Sequence, residues 1–158
     1  IALSLVGSEM CIRDSIDGMT VEEAEHMMAT KLYQNNAKVH FNHFVEKGGR
    51  FGKRIVYGGH VISLTRALTF NGLSNAFKII AINGGTHASP CFAGTTVFAW
   101  STILDKIEVS DKLGALRIRS NGIGDAQAYQ FQHRDANNRF DPSVLLSLDY
   151  WALIPRKN

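Results

Sequence analysis

The sequence predicts an α+β domain, an antiparallel sheet drawn from the second half of the chain and wrapped on one apolar helix from the first half. Three observations carry that expectation. Apolar residues recur at helical spacing up to about Gly72, they switch to strand-like alternation from Ala76 onward, and the helical period does not return. Helices first and long antiparallel-type strands afterwards is the order of an α+β layer architecture. At 158 residues the chain fits one domain with a sizeable core.

The first element is a helix from Val21 to Tyr33: Thr20 with Glu23 reads as a capping box, acidic residues fill the first turn, and Ala24, Met28 and Leu32 follow at i+4 spacing. A short loop holds Asn35 and Asn36. A second, short helix covers Val39–Glu46 and is stopped by Gly48-Gly49. After Phe51-Gly52 comes a short extended piece, Arg54–Tyr57. Gly58-Gly59 then opens the longest apolar helix, with Val61, Leu64 and Leu68 on one face and its end near Asn71-Gly72.

Phe77–Asn83 reads as a buried strand and Thr95–Val109 as a long one. Leu116 and Ile118 alternate with Arg117 and Arg119, and Leu146, Leu148, Tyr150, Ala152 and Ile154 alternate with polar neighbours. Between them Asn121–Pro142, rich in Gly, Asn and Asp, reads as a polar loop or broken strand. The Gly58–Gly72 helix is apolar enough to need covering, so a curved sheet around one central helix, the hotdog arrangement, is the natural form. Composition alone does not select it over other α+β folds.

A hydrophobic fraction of 45% and a charged fraction of 20% are ordinary for a globular protein. The net charge of +3 comes without a Lys/Arg run or a basic aromatic stripe, which argues against nucleic acid and leaves an anionic small ligand compatible. Two cysteines, Cys11 and Cys91, make no disulfide framework and suit a reducing cytoplasm. No apolar run approaches the roughly 20 residues of a membrane span. The start, Ile1–Gly7, lacks the basic flank and apolar length of a signal segment. Ser4–Ser15 is similar instead to a translated sequencing-adapter tail, so residues 1–15 are expected to be non-native and disordered, with the natural chain cut before Ile16.

The chemistry-bearing residues concentrate in Tyr33–Phe41 and Tyr57–His60. A histidine at the start of a short helix, such as His40, is by itself a surface or capping residue. Asn35, five residues earlier, adds a second reading in which amide and imidazole hold one water, and the imidazole takes its proton and returns it. Gly58-Gly59 is either a tight turn or an oxyanion site, where the free amides of a helix N-terminus polarise a thioester carbonyl. His40 and His43, at i and i+3, have no third ligand at a recognised spacing, so no metal is expected. His60 reads as a packed or supporting histidine, while His26 and His87 have no evident partners. The Gly-rich stretches match neither a P-loop nor a dinucleotide fingerprint.

Asn35-Asn36-Ala37-Lys38-Val39-His40 resembles the hydratase motif of the MaoC-like dehydratases and (R)-specific enoyl-CoA hydratases, in which an acidic residue precedes the catalytic histidine by five positions. Ile55–Gly58 looks like that family's segment into its central helix, and Ser89–Val97 resembles its Pro-to-Gly turn before a long strand. Asp17–His26, Leu32–Asn42, Gly49–Phe70 and Phe92–Trp100 look like the carboxy-terminal half of the mesaconyl-CoA hydratase (β-methylmalyl-CoA dehydratase) branch. The resemblance covers residues 16–158.

It implies a hotdog fold and reversible syn hydration of mesaconyl-CoA to β-methylmalyl-CoA. His40 would be the general acid/base, Asn35 the water positioner and the Gly58 amide the oxyanion donor. Tyr57, Gly59, His60, Lys38, Arg50 and Arg54 are candidates for binding the acyl-CoA substrate, the basic ones through its carboxylate or phosphates. No cofactor is implied beyond the coenzyme A of the substrate, and the partner implied is a second hotdog, either an amino-terminal half or a second copy. The departure is Asn35 itself: an amide holds water but does not accept its proton at neutral pH. Two other classes stay open, a hotdog acyl-CoA thioesterase and a non-catalytic acyl-CoA-binding or dimerisation half.

Overall fold

The computed structural model describes residues 10–13, 17–126 and 134–156. Its elements run β1 (Met10–Arg13), β2 (Met19–Thr20), α1 (Glu23–Leu32), α2 (Lys38–Phe41), α3 (His43–Glu46), α4 (Gly58–Leu68), α5 (Phe70–Leu73), β3 (Lys78–His87), β4 (Thr96–Glu108), β5 (Leu113–Gly124) and β6 (Val144–Pro155). All strands pair antiparallel in one sheet of order β1-β4-β5-β6-β3, with β2 on β4.

Register shifts in β4 (between Ile103 and Asp105), in β3 (between Ile79 and Ala81, and between Ile82 and Gly84) and in the β5–β6 pairing at Gly122/Ile123 bend the sheet. α4 lies against β4, β5 and β6. Val61, Leu64 and Thr65 of α4 are buried, and Val97, Leu116, Ile118, Leu146, Leu148 and Tyr150 join Val61 and Leu64 in the core. Each such aliphatic side chain contributes about 1.5–3 kcal/mol by leaving water. The helix approaches β5 so closely that a Cβ at Gly122 would meet Thr65 Oγ1 at 2.5 Å. Glycine there sets the helix–sheet distance. A chain of hydroxyls, Ser101–Ser120–Tyr150, runs through the interior, and Arg66 donates to its Tyr150 end at 2.7 Å, so these buried polar groups are satisfied.

The structure differs from the sequence expectations at several points. Thr20 does not cap α1: it pairs with Thr96 in the sheet, its hydroxyl 2.9 Å from that of Thr96, and the cap position Glu22 has no side-chain cap bond. Glu23 reaches His26 and Arg54 instead. The expected Val39–Glu46 helix is two helices broken at Asn42, whose Oδ1 accepts from Val45 N and so caps α3. The apolar helix ends at Leu68, and α5 restarts after Thr69.

The Phe77–Asn83 run is not buried. All ten residues of β3 are exposed, Ile82 at 64% and Ile80 at 47%, because among the described residues β3 is a sheet edge that pairs only with β6. β5 extends to Gly124, well into the expected polar loop, and beyond it Arg134 bridges to Phe140. The remainder of that segment, 127–133, lies outside the described residues.

The adapter-like tail lies outside them too, apart from residues 10–13, and those four are not without structure: they form β1 on the edge of β4. Backbone pairing to an open strand edge asks little of side chains, which is how such a segment can be taken up.

Candidate active site

The end of α1 delivers the first site residues. The chain leaves the helix through Gln34 at φ 51, and the amides of Gln34 and Asn35 bond back to the carbonyls of Lys31 and Thr30. Asn35 then accepts the Ala37 amide on its Oδ1 at 2.9 Å, an Asx turn that launches α2 and presents His40. The acceptor of Asn35 is thereby used within its own loop, and its Nδ2 donors remain.

α2 is tied to the segment that enters α4 by a reciprocal pair. Ile55 N donates to the Val39 carbonyl at 3.1 Å, and His40 Nδ1 donates to the Ile55 carbonyl at 3.1 Å. A carbonyl can only accept, so the proton of the neutral ring sits on Nδ1, and Nε2 carries the lone pair that a general base needs. The Tyr57 ring meets the His40 ring edge-on at a centroid distance of 5.8 Å, and the Tyr33 ring lies tilted against Tyr57 at 6.2 Å. Val56 N donates to the Cys91 carbonyl at 2.8 Å, so the strap after β3 fixes the start of α4.

A Cβ on either glycine of the pair would displace an aromatic ring. A Cβ on Gly59 would lie 2.6 Å from the Tyr57 ring, and one on Gly58 would lie 2.7 Å from His87 Nε2. The structure therefore brings together His40, Tyr57, Gly58 and His87 at the start of α4. His87, at the end of β3, has no sequence neighbour that announces this role, and no spacing signal would have found it.

The remaining candidates separate. His60 faces α1, with Nε2 2.7 Å from Glu25 Oε1, and so supports the helix pairing. Arg54, expected among the substrate binders, is instead committed to Glu23 and to the Phe41 carbonyl at 3.3 Å: it is a structural tie between α1 and α2. Lys38 is exposed, and Arg50 is exposed with its guanidinium over the Phe51 ring at 5.1 Å. His26 is wholly buried, its Nε2 3.3 Å from Glu23 Oε2. Burial, with the charges of His60 and His40, pushes His26 below the ordinary imidazole value. Partial desolvation of a ring on the exposed β3 strand, together with the His40 charge, lowers His87 as well. Among the described residues no three His, Cys, Asp or Glu side chains gather to hold a metal ion.

No family model matches the sequence. The chain is 56% identical over 146 residues to the β-methylmalyl-CoA dehydratase of Chloroflexus aurantiacus, spanning 91% of this chain and 42% of that protein. It is 55% identical over 144 residues to the mesaconyl-CoA hydratase of Cereibacter sphaeroides, spanning 90% and 41%. The chain thus covers less than half the length of these relatives. Among solved structures, a MaoC domain dehydratase from Chloroflexus aurantiacus matches with a TM-score of 0.90 and 53% identity, over 97% of this chain and 44% of that one. A double-hotdog protein from Mycobacterium tuberculosis matches with a TM-score of 0.66 at 20% identity, over 94% and 39%, and shares the fold.

Proposed function

Since the chain belongs to the MaoC-like dehydratases and has their hotdog fold, we propose that it carries the acid–base site of a reversible hydro-lyase acting on mesaconyl-CoA. The observation that carries this reading is His40: its Nδ1 is fixed by the Ile55 carbonyl, which leaves Nε2 as the acceptor beside the glycine-started helix α4. A water held by an Asn35 Nδ2 donor would give its proton to His40 Nε2 as its oxygen attacks the β-carbon. The alkene electron pair moves toward the thioester oxygen, where the Gly58 amide meets the developing charge. His40 then returns the proton to the α-carbon. One base serving one face of the alkene gives syn addition and needs no second carboxylate, which accounts for an amide at position 35.

The thioester itself acidifies the α-carbon, so the reaction asks for no metal or redox cofactor. Tyr57 and Gly59 would line the acyl channel, His60 would hold α1 beside it, and the exposed Lys38 and Arg50 remain for the substrate carboxylate or the coenzyme A phosphates. Residues 16–158 form one hotdog in this reading, paired with a second, either an amino-terminal half or another copy. The uncovered β3 edge, with Ile79, Ile80 and Ile82 exposed, favours such pairing. An acyl-CoA substrate and a free, buried Cys91 suit the cytoplasm.

The test is enoyl absorbance, followed with free thiol, for the chain alone and co-expressed with the amino-terminal half of the Chloroflexus relative. Alkene loss without thiol release, stronger in the paired form, is the expected result. Thiol release without alkene loss would make it a thioesterase, and activity indifferent to His40 would make it a non-catalytic half.

A further inference from the structure

Four of the six histidines, His26, His40, His60 and His87, lie near enough for charge on one to act on another. Three are held: His26 by Glu23, His40 by the Ile55 carbonyl and His60 by Glu25. The fourth, His87, makes no hydrogen bond from its ring among the described residues. Its backbone is fixed nonetheless. His87 pairs with Leu146 in β6, and Ala88 N donates to the Leu145 carbonyl at 3.1 Å. The ring presses on the α-carbon of Gly58 with its Nε2 side foremost, since a Cβ there would meet Nε2 at 2.7 Å, Cε1 at 2.9 Å and Cδ2 at 3.3 Å.

We propose that His87 is a second oxyanion donor, giving a hydrogen bond from Nε2 to the same thioester oxygen that the Gly58 amide receives. This rests on the acyl-thioester reading of the site. A ring against Gly58 lies next to the residue whose amide is assigned to the thioester oxygen, while His40 and Asn35 are assigned to the water. Partial desolvation and the nearby His40 charge lower the His87 imidazole and so favour its neutral form, which offers one N–H. In the reaction the C–O bond forms at the β-carbon as the π bond breaks. The electron pair is shared between the α-carbon and the thioester oxygen, and the water proton travels through His40 to the α-carbon. A neutral donor stabilises that oxygen without capturing the proton there.

Three forms of the full chain test this: wild type, His87→Phe, which keeps ring shape without a donor, and His87→Gln, which keeps a donor. His87→Phe is expected to lower kcat about 10²–10³-fold with KM little changed, as for loss of one oxyanion donor. His87→Gln is expected to recover at least tenfold of that loss. Independently of turnover, nitrogen-15 histidine NMR of the wild-type chain with saturated butyryl-CoA should move the His87 Nε2–H resonance downfield. Butyryl-CoA that binds and perturbs His40 but leaves His87 unmoved, or a His87→Phe protein at wild-type kcat, overturns the His87 role alone. Failure to bind butyryl-CoA, with and without the second hotdog, overturns the acyl-thioester reading beneath it.

Discussion

Gly58→Ala separates stability from catalysis at one atom. The added methyl would sit 2.7 Å from His87 Nε2, about 0.7 Å inside the 3.4 Å at which ordinary contact begins. His87 ends an exposed edge strand, and its ring makes no hydrogen bond among the described residues, so the ring rather than the helix gives way. Alanine in place of glycine at the start of α4 returns about 0.5–1 kcal/mol of backbone entropy. The displaced ring offsets part of that gain. The net effect on stability is close to zero, a shift of a few degrees at most in the thermal midpoint of a chain this size. The carbonyl pocket, by contrast, loses both the space over the α-carbon and the seat of His87, and kcat should fall at least 10²-fold. Circular dichroism melts and enoyl absorbance on the same preparation measure the two. Full activity in Gly58→Ala, or a loss of activity matched by a collapse of the melt, would rule out a carbonyl site at Gly58 that is separable from stability.

Stability should fall with acid through the histidines. His26 and His87 are lowered in the fold relative to the unfolded value of 6.5, so the unfolded chain binds the extra protons: stability is full above about pH 6.5 and is lost as pH falls below it toward the folded values, an effect that His26→Gln should shrink in urea titrations. The Cys91 thiol, pushed up to about 11 chiefly by burial, should resist iodoacetamide at pH 8 in the native protein and react only after unfolding, as peptide mapping would show. Ile82→Lys on the exposed face of β3 should weaken self-association at least tenfold in sedimentation velocity, with no loss of helical signal.

Much of this was legible in the sequence, for reasons that can be stated residue by residue. The apolar stripe of Val61 and Leu64 and the alternation in β4, β5 and β6 dictate a helix clasped by a sheet, and both are local periodic signals. The Asn35 turn and the Gly58-Gly59 helix start are encoded within a few residues each and appear where expected. Contacts that depend on the third dimension were not legible. Thr20 has the spacing of a cap but is drawn into the sheet by Thr96, and Arg54, a candidate for the substrate's anionic groups, is paired with Glu23. The Phe77–Asn83 run has the composition of a buried strand, yet whether a face is covered depends on what packs beside it, and β3 lies at an edge. His87 reaches Gly58 only because β3 runs back along β6 to the start of α4.

In the proposed reaction His40 moves the proton of an alkene hydration. The direct measurement is the rate of mesaconyl-CoA absorbance loss for wild type and His40→Gln, each as the full chain paired with the second hotdog, with deuterium incorporation from heavy water read at the α-carbon. Wild type should hydrate the alkene and place one deuteron on that carbon, and His40→Gln, with its fold intact, should lose about 10²–10⁴ in rate. Near-full hydration by His40→Gln would contradict it.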